Sequence, residues 1–150
     1  MKVISLWQPW ASFIAIGIKP FETRDWPPPR WLVGQRIAIH AAKKHVNTDD
    51  REWAAKCGVV GDLPLGAIVC TALLAGAYQC GDKILAPRLI NIWQRRESLP
   101  VAALDPAGIP TDEFGNYCEG RWAWSLTDIE RFEPAIQAKG AQGLWDWTAP

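Results

Sequence analysis

The sequence has no excess of charge of either sign and few of the residues that bind metals. Lysine and arginine together number 16, and aspartate and glutamate also number 16, so the total charge does not indicate an anionic partner. Histidine occurs only twice, and the four cysteines show no C-x-x-C spacing. We therefore expect no metal and no cofactor. We also expect reduced, mostly buried thiols, as in a cytoplasmic protein.

Long apolar runs are also absent. The most apolar stretch, residues 66–78, holds 13 residues and is too short to cross a bilayer. No charged and apolar leader is evident at the start, so we expect no signal peptide and no membrane partner. With 49% hydrophobic residues in 150, the chain is predicted to fold as a single domain over residues 1–150.

Tryptophan, by contrast, is abundant, with ten in the chain. Because a buried indole N–H needs a hydrogen-bond partner, several of these residues are predicted to line a groove or a surface. Packing in the core is the alternative, and the number of tryptophans does not choose between the two.

The hydrophobic pattern predicts short strands interrupted by short helices. Strands are predicted over 3–7, 21–26, 35–42, 66–77, 121–126 and 143–147. Helices are predicted after Pro9, near 49–57 and after Pro87. Residues 81–120 are predicted to form a less regular insertion or flap. Because regular βαβ alternation is missing, the prediction is an α+β fold: a small barrel of five to six strands with two to three short helices around it.

The stretch GIKPFETR, residues 17–24, gathers two bases and one acid. Lys19 follows a helix-ending glycine and precedes a proline, so it is predicted to lie in a constrained turn. Glu22 and Arg24 are two apart on a strand and share a face, whereas Thr23 points to the other face. One interpretation is a solvated lysine beside a Glu22–Arg24 ion pair. The other is a phosphate site, and both interpretations are compatible with the spacing.

The sequence resembles the ASCH domains, which are related to the PUA-like barrels. The resemblance rests above all on the pattern Gly-x-Lys-x-x-Glu-x-Arg in residues 17–24. Ser5-Leu6 and Gln8-Pro9 precede this pattern and also match. The resemblance then extends in order through residues 38–41, residues 66–69, Trp122-Ala-Trp124 and residues 140–145. It implies a PUA-like β-barrel with a cleft for RNA or a nucleotide-like ligand. It also implies that hydrolases occur among the relatives, acting on N4-acetylcytidine or as ribonucleases.

The resemblance supplies a set of candidate binding residues that carry charge, an amide or an aromatic face. They are Trp7, Gln8, Lys19, Arg24, Trp26, His40, Lys43 and Trp122. In this interpretation Lys19 and Arg24 hold phosphate and Glu22 orients them. The tryptophans at strand ends stack a base. Core packing for each tryptophan, and a structural role for the lone His40, remain the alternatives.

Two other functions are open. The first is a metal-independent hydrolase in which Lys19 is the general base, Thr23 or Ser125 the nucleophile, and Glu22 the orienting group. The deacetylase branch has a threonine where Glu22 stands, which speaks against the acetylcytidine reaction. The second is a protein-interaction module whose tryptophan-rich face and residues 100–120 hold a protein partner.

Overall fold

The structure is a computed structural model that describes residues 1–81, 83–84 and 112–150. Those residues form seven strands, two α-helices and one short 3₁₀-helix. The strands are β1 (Lys2–Leu6), β2 (Phe21–Arg24), β3 (Arg36–Ala41), β4 (Ala67–Gln79), β5 (Lys83–Ile84), β6 (Trp122–Gln137) and β7 (Leu144–Asp146). The helices are α1 (Trp10–Ala15), the 3₁₀-helix Arg30–Leu32 and α2 (Thr48–Lys56).

The strands belong to one mixed sheet with the order β2-β6-β4-β3-β1-β7, and β5 pairs with β4. Strands β1 and β3 are parallel, while the β1–β7 and β2–β6 pairs are antiparallel. Six strands on the main path, with two α-helices among the described residues, confirm the predicted α+β class. The mixture of parallel and antiparallel pairs could not be deduced from the apolar pattern, which gives strand positions but not their neighbours.

The chain divides into two compact units. Unit 1 comprises Met1–Ile18, Arg36–Ala72 and Asp128–Pro150, and unit 2 comprises Lys19–Gln35 and Leu73–Thr127. Each unit has buried apolar side chains of its own. Those of unit 1 include Val3, Ala38 and Ile68, and those of unit 2 include Phe21, Tyr78, Cys80 and Ala123. The single domain over residues 1–150 stays a prediction.

Helix α1 ends in a turn that sets the start of the charged stretch. Gly17 has φ +83°, a left-handed conformation that favours glycine. Its N–H donates to Ile14 O at 2.9 Å, and the N–H of Ile18 donates to Phe13 O at 3.1 Å. These two bonds form the Schellman motif that closes a helix. The predicted role of Gly17 is therefore confirmed, and the chain leaves the helix directly into Lys19.

Helix α2 begins where its capping residues predict. The side chain of Asn47 accepts a hydrogen bond of 2.7 Å from the N–H of Asp50, which satisfies one of the donors at the start of the helix. Asp49 and Asp50 lie in the first turn and Lys56 in the last. Both placements complement the helix dipole.

Strand β6 is much longer than the predicted strand over 121–126. It continues to Gln137 through a polar segment that contains Pro134, so the local pattern gave little indication of a strand. Arg36 stabilises the continuation in unit 1, because its guanidinium donates to Asp128 O at 2.9 Å and lies 3.2 Å from Glu130. The 3₁₀-helix Arg30–Leu32 was not predicted either.

Of the four free thiols, Cys70 and Cys80 are buried, whereas Cys57 is half-buried and Cys118 is exposed. The prediction of mostly buried thiols therefore holds for two of them. The helix predicted after Pro87 lies outside the described residues, as does most of the predicted insertion over 81–120.

Candidate functional site

In unit 2, the carboxylate of Glu22 contacts two cations, one at each oxygen. Lys19 Nζ lies 3.3 Å from Oε2, and Arg24 Nε lies 3.1 Å from Oε1. The strand alternation that places Glu22 and Arg24 on one face produces the second contact, as the sequence predicts. The turn after α1 produces the first. We call these three residues the Glu22 triad.

The members of the Glu22 triad differ strongly in exposure. The side chain of Lys19 is 2% exposed, that of Glu22 is 11% exposed and that of Arg24 is 22% exposed. The Lys19 ammonium also donates to Phe21 O. A buried ammonium needs such partners, because desolvation without them is costly. Lys19 is therefore an internal residue rather than the solvated lysine of the alternative interpretation, and Arg24 is the outermost cation.

Two tryptophans of β6 lie on the same face as the Glu22 triad. In the antiparallel register Glu22 is opposite Trp124 and Arg24 is opposite Trp122, and directly opposed residues share a face. Trp124 is fully buried, and its indole N–H donates to Trp26 O at 3.3 Å. The rings of Trp26 and Trp124 meet edge to face at 4.9 Å. Trp26 and Trp122 are half-buried, so each keeps part of its ring at the surface.

The two hydroxyl candidates lie on the other face of the same strands. Ser125 is opposite Phe21, and Thr23 is opposite Ala123. Ser125 is buried, and Thr23 Oγ1 accepts a hydrogen bond of 3.1 Å from the N–H of Asn116. Regular alternation therefore directs both hydroxyls away from the face that carries Glu22, as the sequence predicts for Thr23.

The remaining candidates, Trp7, Gln8, His40 and Lys43, belong to unit 1. Trp7 and Lys43 are exposed. Gln8 is 3% exposed and uses both ends of its amide inside the protein: Nε2 donates to Pro64 O at 2.9 Å, and Oε1 accepts from the N–H of Ser12 at 3.1 Å. Gln8 therefore anchors the start of α1, a role that its position before Pro9 does not reveal.

His40 lies inside a hydrogen-bonded group that the sequence does not predict. Its Nδ1 lies 3.1 Å from Ser5 Oγ, and its Nε2 lies 3.2 Å from Ala138 O. Since a carbonyl oxygen only accepts, the neutral ring carries its hydrogen on Nε2. The parallel register that pairs Ser5 with His40 creates the first contact. Knowledge that β1 and β3 pair in this register would have predicted the contact between Ser5 and His40.

The ring of His40 is held closely from two further sides. The indole N–H of Trp145 donates to Ser5 Oγ at 3.1 Å, and the rings of Trp145 and His40 meet edge to face at 5.5 Å. A Cβ atom on Gly140 would lie only 2.2 Å from the ring, so glycine is required there. His40 is 2% exposed. These contacts favour the structural interpretation of His40.

Unit 1 also contains a cleft of about 270 Å³ between the end of α1, the loop after α2 and residues 131–135 of β6. None of the candidate residues lines it. Among the described residues, no group of three or more histidine, cysteine, aspartate or glutamate side chains could hold a metal ion. No helix in that part of the chain is long and apolar enough to cross a membrane.

The family model of the ASCH domain matches residues 4–100, which are almost two thirds of the chain and include the Glu22 triad. This chain belongs to the ASCH domain family. The motif of residues 17–24, from which the sequence predicts the family, lies within the match. A search of curated proteins finds no match.

Solved ASCH structures share the fold of this ASCH domain. The crystal structure of ASCH from Zymomonas mobilis has 22% sequence identity and a TM-score of 0.51, covering 99% of this chain and 87% of that chain. A serine-to-alanine mutant of the same protein gives the same values. At this identity the likeness supports the fold alone, and it agrees with the predicted α+β class.

The first prediction concerns the stability of the Glu22 triad. Glu22→Gln removes the charge shared by two cations and leaves the buried Lys19 ammonium uncompensated, so the free energy of unfolding should fall by about 3–5 kcal/mol. Urea denaturation measures it. Glu133→Gln is the matched control: Glu133 is 76% exposed and pairs with the exposed Arg131. In Glu133→Gln the free energy of unfolding should fall by less than about 1 kcal/mol. Equal losses in the two variants would contradict the structural role of the triad.

The second prediction concerns pH. Burial lowers the pKa of His40 below its usual value, and its hydrogen bond to the Ala138 carbonyl only partly opposes the shift. The unfolded chain therefore binds this proton at a higher pH than the folded chain. As the pH falls below about 6.5, the free energy of unfolding should fall with it.

The measurement is urea denaturation across this pH range, in the wild type and in His40→Asn. The variant should lose this part of the pH dependence. His45→Asn, at an exposed position, should keep it. Identical pH profiles for the wild type and His40→Asn would show that His40 does not titrate in this way.

Proposed function

We propose that this ASCH domain binds RNA or a nucleotide-like ligand through the face of β2 and β6 that carries the Glu22 triad. The observation that supports the proposal is the sharing of one carboxylate by two cations. Glu22 compensates only one of the two, so the group keeps one positive charge in a half-buried setting. A phosphate supplies the missing negative charge and accepts charge-assisted hydrogen bonds.

Within this proposal the members of the triad have different roles. Arg24 is the most exposed of the three and contacts the phosphate through its planar guanidinium. Lys19 is too deeply buried for a first contact, so it acts as a positioning residue that holds the Glu22 carboxylate. Glu22 in turn fixes the direction of Arg24. This division revises the sequence-based expectation that both bases contact phosphate.

The half-buried tryptophans supply the stacking surface in the same proposal. Trp122 lies opposite Arg24 across the strand pair, so a base stacked on its indole would keep its phosphate within reach of the guanidinium. Trp26 is held in place by its edge-to-face contact with the buried Trp124. A preorganised aromatic face lowers the entropic cost of binding a base.

The third prediction tests the phosphate contact. Arg24→Gln should weaken binding of a labelled single-stranded RNA and make the slope of log K against log salt shallower by about 0.7 to 1, because one phosphate contact is lost. Fluorescence anisotropy at several salt concentrations measures both quantities. Thermal unfolding verifies that the variant is folded.

Arg51→Gln is the control, since Arg51 is an exposed arginine of α2 in unit 1. Its salt slope and affinity should match those of the wild type. An unchanged slope in Arg24→Gln would exclude Arg24 as a phosphate contact, and a wild-type protein that binds no RNA even at low salt would exclude the proposed function.

A metal-independent hydrolase is the second candidate. The observation that favours it is the burial of an ammonium and a carboxylate side by side, an arrangement typical of sites that move protons. The positions of Thr23 and Ser125 on the opposite face speak against either hydroxyl as a nucleophile beside Lys19. A protein partner and a cytoplasmic location stay predictions from the sequence.

The fourth prediction separates binding from hydrolysis. In the presence of a chelator, the purified protein should leave labelled RNA and N4-acetylcytidine intact if it is a binding protein. Product analysis by chromatography measures this. Turnover that disappears in Lys19→Met would instead establish the hydrolase. Thr23→Ala and Ser125→Ala then show whether either hydroxyl takes part.

A further inference from the structure

A second exposed aromatic and basic surface lies in unit 1, at the ends of two neighbouring strands. Strands β1 and β3 are parallel, with Leu6 opposite Ala41, so the chain leaves the sheet at the same edge after each strand. The N–H of Ala42 extends the pairing by donating to Leu6 O at 2.8 Å. Trp7 therefore comes next to the basic segment that follows β3.

The contact between these two segments is a cation over an aromatic face. Lys44 Nζ lies 3.0 Å from the centroid of the Trp7 ring. A short turn after β3, in which the N–H of Lys44 donates to Ala42 O at 2.8 Å, directs this side chain back to the indole. Yet Trp7 remains 56% exposed, which makes it one of the most exposed large hydrophobic side chains among the described residues.

Lys43, the residue before Lys44, adds a second positive charge to the same segment. Its side chain packs against Gly66, where an added Cβ would lie 3.7 Å from it. Lys43 and Lys44 are both exposed. Their nearest acids in the sequence, Asp49 and Asp50, lie in the first turn of α2, where they complement the helix dipole. The surface formed by Trp7, Lys43 and Lys44 thus combines a flat apolar face with two ammonium groups.

Two contacts compete for the Trp7 indole: the cation–π contact with Lys44 and the stacking of a base. An exposed cation–π pair favours its closed form by only about twofold to fivefold. A base stacked on an exposed aromatic ring contributes about fivefold to 150-fold in affinity. A base can therefore displace the Lys44 ammonium from the indole. The released Lys44 ammonium can then pair with a neighbouring phosphate, so its positive charge still has a partner.

We propose that Trp7, Lys43 and Lys44 form a further contact for single-stranded nucleic acid, in which a base replaces the Lys44 ammonium on the Trp7 indole and both lysines contact phosphates. This inference rests on the proposed function and extends it to a surface outside the Glu22 triad. The ligand is single-stranded, because the bases of a duplex are stacked on one another and do not offer a free face.

The fifth prediction tests the stacking step with an all-uridine RNA strand. Trp7→Ala should weaken binding by about fivefold to 150-fold while leaving the salt slope unchanged, because no charge is removed. Trp7→Phe, which keeps an aromatic face, should lie between Trp7→Ala and the wild type. Trp31→Ala is the matched control, since Trp31 is an exposed tryptophan of unit 2, 61% exposed, outside this surface.

Two further probes identify the cause of the loss. A ribose-phosphate strand of equal length without bases keeps the phosphates but offers nothing to stack, so Trp7→Ala should bind it like the wild type. Lys44→Gln should make the salt slope on the all-uridine strand shallower by about 0.7, whereas Lys56→Gln, at another exposed lysine, should not change it. A Trp7→Ala penalty that persists without bases would overturn the stacking.

The outcomes separate this inference from the proposed function. If Arg24→Gln weakens binding but the Trp7 and Lys44 variants bind like the wild type, the surface in unit 1 is not a contact and the Glu22 triad alone holds the ligand. If the Trp7 and Lys44 variants weaken binding but Arg24→Gln does not, the ligand is bound at unit 1 and the proposed site is wrong. If the wild-type protein binds neither the labelled single-stranded RNA nor the all-uridine strand, the proposed function and this inference are both wrong.

Discussion

The charged site of unit 2 depends on one carboxylate that serves two cations. Glu22 receives Lys19 at one oxygen and Arg24 at the other, in a setting where the lysine is almost fully withdrawn from water. A buried ammonium without a counter-charge is unstable, and two cations side by side repel each other. The Glu22 carboxylate pairs with the buried ammonium and reduces the repulsion between the two cations. The group of three still carries a net charge of one positive unit. That remaining charge is the basis of the proposed phosphate contact.

The geometry of this group follows from simple backbone features. The Schellman turn at Gly17 ends α1 two residues before Lys19, so Lys19 lies in the turn that leads into β2. The two-residue period of β2 then aligns Glu22 with Arg24 on one face. The register with β6 adds Trp124 and Trp122 to that face. Within the described residues, one turn and one strand hold the Glu22 triad together, and such a fixed geometry is what the proposed phosphate contact requires.

In unit 1, two candidate binding residues, Gln8 and His40, make structural contacts inside the protein. Gln8 bridges the start of α1 to the carbonyl of Pro64, and His40 joins Ser5 to the carbonyl of Ala138. Both side chains are buried and fully engaged. Trp7 is different, because it is exposed and its described aromatic contact is a cation–π contact with the exposed Lys44. Exposure and the strength of existing contacts therefore separate a binding candidate from a structural residue.

The sequence by itself determined the family, the α+β class, the glycine that ends α1, the cap of α2 and the shared face of Glu22 and Arg24. Each of these depends on residues close together in the chain or on a motif with fixed spacing. The tertiary structure alone decided that Lys19 is buried, that His40 meets Ser5, that Lys44 covers Trp7 and that β6 continues to Gln137. These features arise from pairing and packing between distant segments, and the local pattern of side chains does not specify which segments become neighbours.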